Sequence, residues 1–102
     1  MTQQHVLVVF TDPVEGREAD FNEWQDKVHV PDVLTIPGYL SAQRYKLSNA
    51  QFSTSGQQRS RYMTVYQIET DDLAGVFAEA GQRMASMRFT DALQMETIST
   101  KA

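Results

Sequence analysis

The stretch that decides the fold runs from residue 5 to residue 29 and reads HVLVVFTDPVEGREADFNEWQDKVH. Its first part, His5 to Thr11, is rich in β-branched side chains and apolar at both odd and even positions. This pattern predicts a strand that is buried on both faces. Residues 12–16, Asp-Pro-Val-Glu-Gly, end the strand, because proline and glycine interrupt regular structure.

The second part of that stretch predicts a helix from about Arg17 to His29. Its apolar stripe has the spacing i, i+3, i+4, i+7 and i+8 of one helical face and consists of Phe21, Trp24, Gln25, Val28 and His29. Pro31 disfavours helical geometry at the residue before it, Val30. We therefore expect the helix to end or kink there, with one further turn possible over residues 32–36.

The rest of the chain adds three strands and one helix. A strand over about 39–47 follows the Pro37-Gly38 turn, and a polar connection over 48–60 leads to an alternating strand over 61–69. Residues 70–72 suit a helix cap, and the stripe after them predicts a helix to about Met87. A last strand over about 95–101 completes the order β-α-β-β-α-β.

This order predicts a ferredoxin-like α+β domain, with a four-stranded antiparallel sheet and both helices on one face. The length of 102 residues suits a single domain, residues 1–102, and leaves no room for a second core. Because the strands are apolar on both parities, the bare sheet face needs a cover. A second copy of the sheet is the simplest one, so we expect a homodimer.

Composition excludes several classes of protein. The absence of cysteine removes disulfide scaffolds, thiol nucleophiles and zinc ribbons, and it agrees with a cytoplasmic location. A net charge of −4 without a basic cluster argues against nucleic acid and anionic membrane as partners. The short apolar run over 6–10 predicts neither a membrane span nor a signal peptide. Two histidines without carboxylates at ligand spacing predict no metal site, and no glycine motif for a nucleotide cofactor occurs.

His29 is the most informative candidate residue, because it lies on an apolar stripe near the end of the first helix. Burial would lower its pKa and the helix terminus would raise it, so it can act as a general acid or base near neutrality. The alternative is a histidine that closes the helix with one hydrogen bond to the backbone. Asp32 is placed either to orient His29 or to cap the turn after Pro31.

Other side chains are weaker candidates. A tyrosine phenol can donate to a developing oxyanion, and Tyr39, Tyr45, Tyr62 and Tyr66 all lie on predicted strands, where aromatic residues are more often packing. Arg44 is a candidate partner for an anion or a carbonyl, although an exposed strand arginine is the commoner case. Phe21 and Trp24 fit a hydrophobic core as well as a ligand contact.

The sequence resembles the dimeric α/β-barrel superfamily, and within it the EthD-like proteins. The resemblance rests on Asp12-Pro13 after the first strand, then on Phe21, Trp24, His29, Pro31 and Pro37-Gly38. It implies a ferredoxin-like monomer that pairs sheet to sheet, a pocket between sheet and helices, and His29 as the group that transfers a proton in that pocket. Relatives include cyclases, isomerases, cofactor-independent monooxygenases and haem-degrading enzymes. A cysteine used by some of the isomerases is absent here.

These observations favour a cofactor-independent enzyme acting on a small aromatic, lactone or polyketide-like molecule. His29 would move a proton next to a carbonyl, Tyr62, Tyr66 or Arg44 would stabilise the enolate oxygen, and Phe21, Trp24 and Tyr39 would contact the substrate. Cyclase, isomerase, lyase and monooxygenase reactions all begin this way. One alternative is a protein that binds a small hydrophobic compound without catalysis, and another is a dimeric accessory protein.

Overall fold

The structure, a computed structural model, describes residues 2–48, 50 and 60–102. It contains a four-stranded sheet in the order β2-β3-β1-β4, with every neighbouring pair antiparallel. The strands are β1 (Gln3–Thr11), β2 (Tyr39–Lys46), β3 (Tyr62–Thr70) and β4 (Ser99–Lys101). This is the predicted ferredoxin-like arrangement. Most of the predicted connection over 48–60 lies outside the described residues.

The first helix does not end at Pro31. It consists of three consecutive segments, α1 (Glu18–Trp24), a π-helical turn (Gln25–His29) and α2 (Val30–Val33). Proline has no N–H, and its ring meets the carbonyl four residues earlier in a regular α-helix. The π-turn, in which the Val30 N–H bonds to the Gln25 carbonyl, widens the helix just before Pro31 and relieves that conflict.

The second helix, α3 (Leu73–Met84), begins as predicted and ends one turn early. Asp72 caps it by accepting a 3.0 Å hydrogen bond from the Gly75 N–H. The predicted last strand is shorter than expected, because Met95–Thr97 forms a 3₁₀ turn. Just before that turn, the Gln94 N–H bonds to the Asp12 carbonyl at 2.9 Å, beside the loop that follows β1. The chain joins the sheet only at Ser99.

A β-bulge in β2 decides which face its side chains occupy. Tyr39 pairs with Ile68, whereas Ser41 pairs with Gln67, so the register shifts by one residue between them. Tyr39 and Tyr45 have the same parity in the sequence, but the shift puts them on opposite faces of the sheet. Tyr39 is buried beneath the helices and Tyr45 is exposed.

The inner sheet face and the helices form two core clusters. One lies around Val33, Ile36 and Ile68, and the other around Phe21 and Leu93. Because side chains alternate along a strand, the residues between the inward ones point away from the helices. We call this opposite surface the outer face; its apolar members are Val6, Val8, Phe10, Met63 and Val65. Apolar side chains therefore lie on both faces of the sheet, but those of β1 on the outer face are half-buried or exposed, with Val6 at 47%, so the predicted burial of this strand on both faces is not seen within one chain.

Candidate functional site

A cavity of about 510 Å³ lies between the inner sheet face, the first helix and α3. Its volume lies within the range of roughly 300–1,000 Å³ that is typical of small-molecule sites. Most of the wall is apolar, and polar groups occur at a few positions. The polar or titratable side chains among the described lining residues are Thr11, Gln25, His29, Tyr39, Thr64, Tyr66 and Thr100, together with the indole of Trp24.

His29 lines this cavity from the end of the π-turn. Its ring stacks on Trp24 at 4.7 Å between centroids, with 17° between the planes, and its other neighbour is Phe89 at 5.4 Å. The Nδ1 atom is buried without a hydrogen-bond partner among the described residues. The structure therefore does not show the alternative role for His29, a hydrogen bond that closes the helix.

Burial lowers the pKa of His29 below its ordinary value of 6.5, and the charge of Asp32 opposes this effect more weakly. At neutral pH the imidazole is therefore uncharged and able to accept a proton. Asp32 does not orient the ring through a hydrogen bond. Its carboxylate pairs with Arg88 at 3.2 Å, so its effect on His29 is electrostatic.

Tyr39 and Tyr66 line the same cavity, from β2 and β3. Their rings meet edge to face at 5.6 Å. Burial raises the pKa of both phenols above the ordinary value of 10, and for Tyr66 the neighbouring Tyr39 adds to the shift while Arg44 reduces it. Both phenols stay protonated at neutral pH and are available as hydrogen-bond donors.

Trp24 lines the cavity, but Phe21 does not. The Trp24 indole Nε1–H donates a 2.8 Å hydrogen bond to the Arg88 carbonyl, and its face supports His29. Phe21 is fully buried on the other side, in contact with Tyr62 at 5.1 Å between ring centroids. Of these two predicted substrate contacts, the structure brings Trp24 to His29 and leaves Phe21 in the core.

Tyr62 and Arg44 lie outside the cavity, in a polar cluster between α1 and the edge of the sheet. The Tyr62 hydroxyl donates to Glu18, a carboxylate that also pairs with Lys46 at 3.0 Å. Arg44 pairs with Asp26 at 2.8 Å and covers the Tyr62 ring at 5.5 Å. These contacts hold the first helix on the sheet. They engage the Tyr62 hydroxyl and the two terminal nitrogens of Arg44, whereas Arg44 Nε is buried without a hydrogen-bond partner among the described residues.

Four polar residues that the sequence did not single out line the cavity, namely Thr11, Gln25, Thr64 and Thr100, and two of them have an unpartnered side-chain oxygen. Gln25 and Thr11 are each 3% exposed, and Gln25 Oε1 and Thr11 Oγ1 have no hydrogen-bond partner among the described residues. A signal for Gln25 was present, because an uncharged polar residue sits on the apolar stripe four residues before His29. For Thr11, at the end of an apolar strand, the sequence contains no such signal.

A wider and more polar groove of about 890 Å³ lies at the opposite end of α1, near Asp12, Gly16 and Arg61. None of the predicted site residues lines it. The described residues contain no cluster of three or more potential metal ligands. None of the helices in the described part is long and apolar enough to cross a bilayer.

No protein-family profile matches the sequence, and no curated protein sequence does. Solved structures do match along nearly the whole chain. A candidate monooxygenase from Shewanella loihica has a TM-score of 0.57 and 17% identity, covering 100% of this chain and 95% of its own. A variant of MhuD with two manganese protoporphyrin IX molecules per active site has a TM-score of 0.63 and 17% identity, over 97% and 90%.

A third match is a dimeric ferredoxin-like protein of unknown function from a Jannaschia species. Its TM-score is 0.50 at 14% identity, over 98% of this chain and 99% of that one. The chain has a ferredoxin-like fold. These likenesses to solved structures are likenesses of fold, and they agree with the predicted ferredoxin-like arrangement.

Proposed function

We propose that this protein is a small, cofactor-independent enzyme that uses His29 to transfer a proton on a small aromatic, lactone or polyketide-like substrate. The observation that carries the proposal is an uncharged histidine, without a hydrogen-bond partner among the described residues, in the wall of a mainly apolar cavity of about 510 Å³. Such a base combines low solvation with access to a bound molecule.

In the proposed reaction His29 removes a proton from the carbon next to a substrate carbonyl. The negative charge moves to the carbonyl oxygen, where a phenol of Tyr66 or Tyr39 donates a hydrogen bond to it. Both phenols remain protonated because burial raises the pKa of each. His29 then returns the proton at another position. Trp24 holds the imidazole flat against the cavity wall throughout.

A catalytic role for Tyr62 or Arg44 receives no support from their position. The Tyr62 hydroxyl is engaged by Glu18, and the Arg44 guanidinium donates to Asp26 and Asn22. Neither side chain lines the cavity. The proposal therefore gives enolate stabilisation to the two cavity tyrosines and gives the Tyr62 and Arg44 cluster the task of fixing the first helix.

Haem is not part of the proposal, although one structural neighbour holds a metal porphyrin. A porphyrin carries carboxylates that need basic partners, and the described residues lining the cavity include no lysine or arginine. The His29 ring is also stacked on Trp24 and lies against Phe89, tilted by 46°. The donor set therefore suits an uncharged ring better than a haem.

The dimer is a further part of the proposal. Two adjacent pairs on the central strands, Val8 with Val65 and Phe10 with Met63, form the middle of the outer face. Apolar surface of this kind is stabilised by a partner, and one structural neighbour is a dimeric ferredoxin-like protein. We propose a homodimer that pairs outer face to outer face. A cytoplasmic location stays a prediction from composition.

Proton transfer can be tested before the natural substrate is known. 2-Tetralone has acidic hydrogens next to its carbonyl, and their exchange in D₂O is followed by proton NMR. The wild-type protein should accelerate the exchange, and His29→Ala should lose about 100- to 10,000-fold of that acceleration. His5→Ala is the matched control, since His5 lies on β1 and does not line the cavity.

The alternative, a protein that binds a small hydrophobic molecule without catalysis, is favoured by the same cavity. It predicts that 2-tetralone binds and that its exchange is not accelerated. Equal exchange rates for wild type and a folded His29→Ala variant would remove the proposed enzyme and leave this alternative. Circular dichroism of each variant establishes that the fold is intact.

A further inference from the structure

The polar atoms in the cavity wall limit the chemical classes of ligand that the cavity can bind. None of the described residues lining the cavity carries a charge at neutral pH, since the pKa of His29 is lowered and those of Tyr39 and Tyr66 are raised. An anion placed there would be buried without a partner, which is strongly unfavourable. The wall thus matches an uncharged molecule.

Charges outside the wall do not change this conclusion. Two charged side chains influence cavity residues from outside, Arg44 acting on Tyr66 and Asp32 acting on His29. Each is already paired with an opposite charge: Arg44 with Asp26 at 2.8 Å, and Asp32 with Arg88 at 3.2 Å. Neither side chain lines the cavity, so neither is placed to neutralise a ligand.

The second observation is the pair of unpartnered atoms, Gln25 Oε1 and Thr11 Oγ1. Both belong to side chains that are 97% buried, and both residues line the cavity. A buried polar atom without a hydrogen bond is destabilising, so such atoms in a folded protein need a partner. A ligand hydroxyl, which both donates and accepts, supplies one.

The π-turn determines where the Gln25 side chain lies relative to the proposed base, His29. Gln25 and His29 are its first and last residues. Both residues line the cavity, about one helical turn apart. Gln25 and His29 therefore face the cavity along one line of the first helix. A hydroxyl held at Gln25 brings the neighbouring ring carbons toward the base.

We infer that the cavity selects an uncharged ring compound bearing a hydroxyl group, and that Gln25 and Thr11 bind that hydroxyl. This inference rests on the proposed function, because it names the substrate class of the same cavity. The two can fail separately. The inference is tested by equilibrium binding, and the proposed function is tested by the rate of proton exchange.

The test uses three probes with one ring system: 2-naphthol, its O-methyl ether 2-methoxynaphthalene, and 2-naphthoate. Binding is followed by calorimetry and by the fluorescence of Trp24, which is the only tryptophan of the chain and lines the cavity. We expect 2-naphthol to bind most tightly. The carboxylate should bind more than about tenfold more weakly, because its charge finds no partner.

The variants Gln25→Met and Thr11→Val keep the side-chain volume and remove the polar atoms. Each should weaken 2-naphthol by about three- to tenfold, the value of one hydrogen bond, and should leave 2-methoxynaphthalene nearly unchanged. Gln82→Met is the matched control, because Gln82 is exposed on α3 and does not line the cavity. Unfolding temperatures show whether each variant is folded, and the two variants provide independent tests.

Three results would overturn the inference. The first is equal affinity for 2-naphthol and 2-naphthoate, which would contradict selection against charge. The second is an equal loss for the hydroxyl and methoxy probes in both variants, which would make the two residues packing groups only. The third is that no probe binds, which would mean that the cavity does not admit a ring compound.

Discussion

A lysine in the middle of the outer face provides a sharp test of the proposed dimer. Val65 lies on β3, a central strand of the sheet, with Val8 and Gln43 opposite it on the two neighbouring strands. The substitution Val65→Lys puts a charge where the proposed interface is most apolar. The inner face and the cavity are on the other side of the sheet.

The size of the effect follows from the dimensions of the face. The strands are nine, eight, nine and three residues long; at about 3.3 Å per residue and about 4.8 Å between strands they give a face of roughly 460 Å². Pairing two such faces covers about 900 Å² in all, at the lower limit of about 1,000 Å² for a specific interface. A dimer with an interface this small is sensitive to a single substitution. An uncompensated buried charge costs about 3–5 kcal/mol, which weakens the dimer at least about a hundredfold.

Sedimentation equilibrium over a range of protein concentrations measures this effect. The wild type should be a dimer at micromolar concentration and Val65→Lys a monomer. Ala74→Lys is the control with the same charge change, on the exposed surface of α3, and should remain dimeric. Circular dichroism checks that both variants are folded. A monomeric wild type, or a Val65→Lys variant that dimerises as well as the control, would refute the reasoning.

Three further predictions concern stability. Burial lowers the pKa of His29 below 6.5, so the unfolded chain binds a proton at His29 more readily than the folded protein does. The free energy of unfolding in urea should therefore fall as the pH drops below about 6.5 and stay level above it. The His29→Phe variant should lose much of this pH dependence of stability. The pKa of Glu18 is lowered to about 2, mainly by the hydrogen bond from Tyr62, so Glu18→Gln should be less stable than wild type at pH 7. The difference in stability should shrink between about pH 4.5 and pH 2. A difference that stays constant over this range would contradict the prediction. Phe21→Ala should lower the free energy of unfolding by about 3–5 kcal/mol in a urea titration, because the side chain is fully buried.

Hydrophobic periodicity was sufficient to predict the order of the elements. A buried strand and an amphipathic helix have different periods, and both are visible in residues 5–29. The same stripe put Trp24 and His29 on one helical face, where the structure has them stacked. Local rules were less reliable at Pro31. They indicated an end or a kink, and the chain instead continues as a helix through a π-turn directly before Pro31.

The site itself depended on contacts between distant parts of the chain. Tyr62 and Tyr66 have the same parity and the same strand, yet only Tyr66 lines the cavity, while the Tyr62 hydroxyl is engaged by Glu18 of α1. Asp32 is close to His29 in sequence, but Arg88 binds its carboxylate. Which of several possible partners a side chain binds depends on the tertiary structure and cannot be predicted from the spacing of residues in the sequence.

The amino-acid order therefore established the β-α-β-β-α-β succession, the two apolar sheet faces and the position of His29 on the inner side of the first helix. These properties depend on side chains a few residues apart. The tertiary structure decided which polar groups reach His29. The bulge in β2 turned Tyr39 inward and Tyr45 outward, and packing left Gln25 Oε1 and Thr11 Oγ1 buried without hydrogen-bond partners among the described residues. These outcomes depend on register and on packing between elements far apart in the chain, where each contact competes with several others.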